Sequence, residues 1–190
     1  MKNSISFYTL LFIILTVASC RQSRYITERH IKNNIDKHEV GKQSNIRTYN
    51  IFRGNTISTG RYLELTGYKL NNEKGLVIGA DRSYVTRKIS SRNGNVVESI
   101  SLIDYIHLDL DQTRSILSNY ARLLEKLKKE KPLMNEEVYH DYTVSKDCFM
   151  SFRKTSTSNG VDFINIWVNG EKYQLRTAVF INRLKKFVEY

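Results

Sequence analysis

Val97–Pro132 reads VESISLIDYIHLDLDQTRSILSNYARLLEKLKKEKP, and its hydrophobic period changes partway along. Up to Leu110 the apolar residues Ile100, Leu102, Ile106, Leu108 and Leu110 recur at every second position, broken only by Asp104. That pattern predicts one strand from Val97 to Leu110 with a single buried face. Beyond it Ile116, Tyr120, Leu123, Leu124 and Leu127 recur at three- and four-residue spacing, with Leu117 beside them. Arg122, Glu125, Lys126 and Lys129 occupy the other face, so the segment is an amphipathic helix. Asp111 is the expected N-cap, since its carboxylate can accept from the first free backbone N–H groups. Pro132 stops the helix.

Upstream, RYLELTGYKL (residues 61–70) is rich in strand formers, and strand character begins near residue 46. Gly75 and Gly79 bracket the apolar run Leu76, Val77 and Ile78; Ser83 to Ile89 continues as strand, and Asn93-Gly94 marks a tight turn. With Gly54, Gly60 and Gly67, these glycines read as turns and bulges, because none opens a phosphate-binding loop into a helix. Downstream, Val138 to Val144 and Cys148 to Arg153 are strands, and Asn159-Gly160 begins a turn. Val161 to Val168 is a strand that buries Trp167 or its neighbours, and Asn169-Gly170 is the strongest hairpin signal, returning through Glu171 to Leu175. The last segment is a helix with the stripe Phe180, Ile181, Leu184, Phe187 and Val188, and Arg183, Lys185 and Lys186 in its final turns suit the helix dipole. The order strands, helix, strands, helix predicts an α+β fold: one antiparallel sheet with two helices packed on one face. A β-β-α cycle occurs twice, which suggests a pseudo-twofold arrangement of a single domain over residues 46–190.

The N-terminus has a different character. Lys2 precedes the largely apolar run Ile5 to Val17, which is too short to span a bilayer. Ala18, Ser19 and Cys20 follow. Val17-Ala18-Ser19-Cys20, placed directly after that run, resembles the lipobox of bacterial lipoproteins. The resemblance covers this segment alone. It implies a signal peptide over residues 1–19, cleavage between Ser19 and Cys20, and palmitate-type acylation of Cys20, which attaches the chain to a lipid bilayer. Each buried acyl CH₂ contributes about 0.8 kcal/mol, so two or more chains anchor stably. Residue 21 is Arg and not Asp, which implies the outer membrane by the enteric rule, and the lack of an acidic run favours the periplasmic side of the cell envelope. Residues 20–45 read as a polar tether with a short helix around 25–38, its aliphatic anchors being Ile26, Ile31, Ile35 and Val40.

Counted from Cys20 the chain keeps 171 residues, enough for one domain with a real core. Cys148 is then the remaining thiol, so stability comes from packing and not from an internal disulfide. Loss of Lys2 leaves 29 Lys and Arg against 19 Asp and Glu. Nucleic acid is the usual partner of such a basic chain, but export argues against it. Anionic lipid headgroups, lipopolysaccharide or an acidic envelope protein fit the expected address, as does a merely solubilising surface.

Chemistry-bearing residues are sparse. His107, Asp109 and Asp111 recur at period two, but alternate strand residues stand about 7 Å apart and cannot reach one ion unaided, so no metal is assigned. His140 and Cys148 lie on consecutive strands and would make a dyad only if the turn paired them; a lone cysteine usually packs as a small hydrophobe. His140 and the adjacent Asp141 point to opposite faces. Tyr62, Tyr68, Tyr84, Tyr105, Tyr139 and Tyr142 are half-buried strand residues or parts of a binding face. No catalytic motif or cofactor signature is present. The leading expectation is therefore a non-enzymatic envelope binding or accessory module. An immunity-type inhibitor of a toxin is the alternative. A hydrolase of an envelope polymer, using Asp104, Asp109 or Asp141, would need two of these carboxylates facing one another across a cleft.

Overall fold

The computed structural model of the chain describes residues 26–34, 45–57, 59–70, 73–82, 84–91, 94–100, 102–156 and 161–189. The expected signal peptide, Ser19, Cys20, Ile35, Val40, Asn93 and the turn at Asn159-Gly160 lie outside the described residues. In chain order the elements are α1 (Ile26–Asn34), β1 (Ile46–Asn55), β2 (Tyr62–Leu70), β3 (Glu73–Asp81), β4 (Tyr84–Ser91), β5 (Gly94–Ile100) and β6 (Ile103–Asp109). There follow α2 (Leu110–Lys129), β7 (Glu137–Ser145), β8 (Cys148–Thr155), β9 (Phe163–Val168), β10 (Glu171–Arg176) and α3 (Thr177–Glu189).

The α+β class holds, with antiparallel pairing throughout, but the single sheet does not. The strands form two four-stranded sheets, ordered β1-β2-β3-β6 and β10-β9-β8-β7, and a two-stranded ribbon β4-β5. The expected strand Val97–Leu110 is two strands belonging to different sheets. Its first part, β5, closes a hairpin with β4. The chain then turns a corner held by the bond from the Arg82 N–H to the Leu102 carbonyl (2.7 Å), and β6 pairs with β3 through Leu76↔Leu108 and Ile78↔Ile106. Leu102, at the corner, is 44% exposed, not part of the buried stripe.

The helix cap is also earlier than Asp111. Asp109 caps α2: its Oδ1 accepts from the Gln112 N–H (2.7 Å), and the Gln112 side chain accepts from the Asp109 N–H (3.0 Å). This reciprocal box satisfies two backbone donors at once. Leu110, at the end of the alternating run, is already helical, and Asp111 lies in the exposed first turn, 3.3 Å from Arg114. Pro132 does end the helix, since residues before a proline disfavour helical angles; Glu130 is already extended at ψ 131°. The buried Lys154 ammonium bonds the freed carbonyls of Leu127 and Glu130.

The two halves repeat one plan: an antiparallel four-strand meander, then a helix. In the first half the β4-β5 ribbon is inserted between β3 and β6. Helix α2 packs on β3 and β6 and reaches β7, the first strand of the other half; α3 packs on β10 and reaches β1. Both helices and both sheets close on one core that includes Leu65, Ile78, Leu108, Ile116, Phe152, Ile166, Tyr173 and Phe180. Asn169 (φ 49°) and Gly170 (φ 83°) make the hairpin turn expected between β9 and β10.

A third helix breaks the expectation of two helices on one face. Leu63, Leu65, Leu76, Ile78 and Ala80 point into the common core. Yet Glu64, Thr66 and Val77, of opposite parity on β2 and β3, are also fully buried, because α1 covers that outer face. Thr27 meets Thr66 (Oγ1 to Oγ1, 2.6 Å), and Ile31 is completely enclosed. The expected tether thus contains a helix docked on the sheet. Gly79 permits the approach: a Cβ there would stand 2.8 Å from the Thr27 methyl. Gly67 likewise leaves room for the Phe187 ring, 2.5 Å from where its Cβ would be. Gly67, Gly75 and Gly79 therefore serve close packing inside strands, not turns or bulges, whereas Gly54 and Gly60 do hold positive φ.

Candidate functional site

Among the described residues an open groove lies at one end of the first sheet. Strand register puts Arg47 opposite Lys69, and Lys69 opposite Lys74, so three cations stand side by side across β1, β2 and β3. Directly opposed like charges destabilise a sheet. Two residues inward, Tyr49 sits opposite Gly67, and the Phe187 ring from α3 lies over that glycine with Tyr49 stacked beside it at 6.0 Å. The groove these residues line with Thr48 has a volume of about 550 Å³. The Lys74 ammonium lies 4.8 Å above the Phe187 ring and donates to the Val188 carbonyl at 3.1 Å. Burial, then the neighbouring charges of Lys69 and Arg114, hold Lys74 below the usual lysine range. An aromatic wall under a row of cations is the chemistry of a site for an anionic group attached to an apolar body.

A second cluster joins α1 to β6. The Nε2 atoms of His30 and His107 are 2.8 Å apart, and the His30 ring stacks on Tyr105 with centroids 3.7 Å apart and planes 7° apart. Burial lowers the pKa of both imidazoles, and for His30 the His107 ring adds to the effect.

The residues singled out from the sequence are dispersed. Asp109 is a helix cap and Asp111 a surface residue of α2, so neither joins His107 around an ion. Among the described residues no three His, Cys, Asp or Glu side chains converge as metal ligands. His140 pairs with Phe152, not Cys148, and its imidazole meets the Glu130 carboxylate at 3.0 Å. Cys148 stands opposite Ser145 and Val168 inside the core, where burial pushes its thiol up to about 12. The dyad does not form. Asp104 pairs with Arg82 at 3.4 Å, five residues along the strand from Asp109, and Asp141 lies in the other sheet opposite Ser151. These carboxylates do not face one another across a cleft. Tyr62, Tyr68, Tyr105 and Tyr142 are half-buried strand residues, Tyr139 is exposed, and the Tyr84 side chain lies outside the described residues.

Arg47, Tyr49, Lys69, Lys74, Phe187 and His30 were not legible as a site. Their sequence signal is limited to Lys69 and Lys74 lying five residues apart; the rest depends on register and on α1 docking. Comparison with family models, with curated proteins and with solved structures finds no match for this chain.

Proposed function

We propose that the protein is a membrane-anchored envelope lipoprotein whose domain is a binding module for an anionic amphiphile. One observation carries the binding reading: Arg47, Lys69 and Lys74 are held in register against one another, beside the apolar surface of Tyr49 and Phe187. Such a row costs folding energy unless an anion offsets it, and natural sheets place opposite charges there far more readily. The lipobox resemblance at Val17–Cys20 supports the address, and an anchored chain meets anionic headgroups at high local concentration.

Titration calorimetry of the full chain in non-ionic detergent, with dioctanoyl phosphatidylglycerol against dioctanoyl phosphatidylcholine, tests the groove. The anionic lipid binds at least ten-fold more tightly, and Lys69→Glu with Lys74→Glu removes that preference. Equal binding of the two lipids, or a preference that survives the charge reversal, rejects the reading. Labelling with palmitate tests the anchor: Cys20→Ala abolishes incorporation, and equal labelling of the two chains refutes lipidation at this residue.

A further inference from the structure

We propose that His30 and His107 form a two-histidine site for a late first-row transition metal ion, Zn²⁺ in the first instance, that cross-links α1 to β6. The site is separate from the cationic groove and does not depend on it. The two residues are 77 positions apart in sequence, yet their Nε2 atoms face each other at 2.8 Å on an exposed contact. Two imidazole nitrogens sharing one tetrahedral zinc ion at about 2.0–2.1 Å stand about 3.3–3.4 Å apart. The rings therefore need to open by about half an ångström to admit an ion. Their present mutual tilt is 54° with centroids 4.9 Å apart, so the rings converge without stacking on each other.

The surroundings hold the ligands in place before any ion arrives. His30 is clamped by its parallel stack on Tyr105, and the Tyr105 hydroxyl donates back to the Ile26 carbonyl of α1 at 3.5 Å. His107 sits in the middle of β6, opposite the buried Val77 of β3, so its backbone is fixed by the sheet. Two rigidly placed imidazoles on different elements are an intermediate-affinity pair, and water completes the coordination shell. Nitrogen ligands select zinc, nickel or copper over magnesium or calcium, which prefer oxygen. Because the pair exists only when α1 is docked, an ion bound here stabilises the docked state by mass action.

The test uses the full chain in non-ionic detergent. Wild-type protein takes up one equivalent of Zn²⁺ in competition with a chromophoric chelator and takes up no Mg²⁺. His30→Gln and His107→Gln, which keep a neutral polar group at the contact, each weaken zinc uptake at least ten-fold and remove the rise in Tm that zinc gives the wild type. His140→Gln leaves both unchanged, because that ring is committed to Glu130. A second measurement needs no variant: zinc protects His30 and His107, but not His140, from carbethoxylation read by mass spectrometry. Absence of stoichiometric uptake, uptake that survives in the double variant, or protection that falls on His140 overturns the proposal.

Discussion

Glu64 sits between Leu63 and Leu65 on β2, where simple alternation makes it a solvent-facing residue, and it is completely buried. A carboxylate loses several kcal/mol of hydration on burial and tolerates it only with partners on both oxygens. Here Oε1 accepts from Arg53 Nε (3.2 Å) and Nη2 (3.0 Å), while Oε2 accepts from the Ile26 N–H (3.0 Å) and the Tyr62 hydroxyl (3.3 Å). The same Arg53 Nη2 reaches Glu28 of α1 at 3.1 Å. Glu64 thus accepts from an N–H of α1 and, through Arg53, links to Glu28, so one side chain anchors the helix to β2. Glu64→Ala leaves Arg53 with Glu28 but without its buried carboxylate partner, and removes the acceptor of the Ile26 N–H. We expect a loss of about 3 kcal/mol in urea denaturation, the low end for breaking a buried pair because Arg53 keeps some contact with water; a change under about 0.5 kcal/mol contradicts the network's role. Cys148 supports a second expectation. With its thiol pushed up to about 12 and enclosed in the core, it carries almost no thiolate at pH 8. Ellman's reagent therefore fails to label Cys148 in the native chain and labels it fully in guanidinium; native labelling within minutes shows that the core opens there.

Among the elements, α1 differs most from its expectation. Nine residues with a polar composition do not hold a helix alone, so its structure is the product of docking: Ile31 enclosed, Thr27 on Thr66, and Gly79 left without a side chain beneath. Gly79→Val fills that space and drives α1 off the sheet, while the β2-β3 register remains. Limited trypsin digestion then cuts after Arg29 and Lys32 several-fold faster than in the wild type, with the core fragment intact; unchanged cleavage means that docking does not depend on this glycine. The helices α2 and α3 were legible because each carries a stripe at helical spacing over more than three turns. Most strands were legible from alternation and turn residues. Their assignment to two sheets was not, because alternation records which face is buried and not which neighbour pairs. The cap at Asp109 was hidden for a related reason: Leu110 continues the strand's period although it is helical, and only the Asp109-to-Gln112 box marked the switch. Docking of α1 left almost no trace, since the buried positions under it are Glu64 and Thr66, residues that ordinarily signal solvent.

For the whole molecule, docking of α1 sets how the domain would stand relative to a membrane. A free tether over residues 20–45 would reach about 90 Å at full extension, at about 3.5 Å per residue. With α1 packed on the sheet, the stretch from Cys20 to Ile26 spans at most about 20 Å. Acylation of Cys20 would therefore hold the α1 face of the first sheet near the headgroups, together with Arg53, His30 and His107. The shared core joins the rest of the domain to that face, since α2 and α3 each tie one half to the opening strand of the other. Asn55, exposed at the end of the strand β1 that carries Arg53, gives a place for a donor dye as Asn55→Cys, because the buried Cys148 does not compete for the label. In acylated, dye-labelled protein reconstituted with rhodamine-phosphatidylethanolamine, energy transfer is strong in the otherwise wild-type chain and falls at least two-fold on adding Gly79→Val, which lengthens the leash without touching the anchor. Equal transfer in the two proteins, in samples shown by palmitate incorporation to be acylated, means that the domain is positioned by something other than α1.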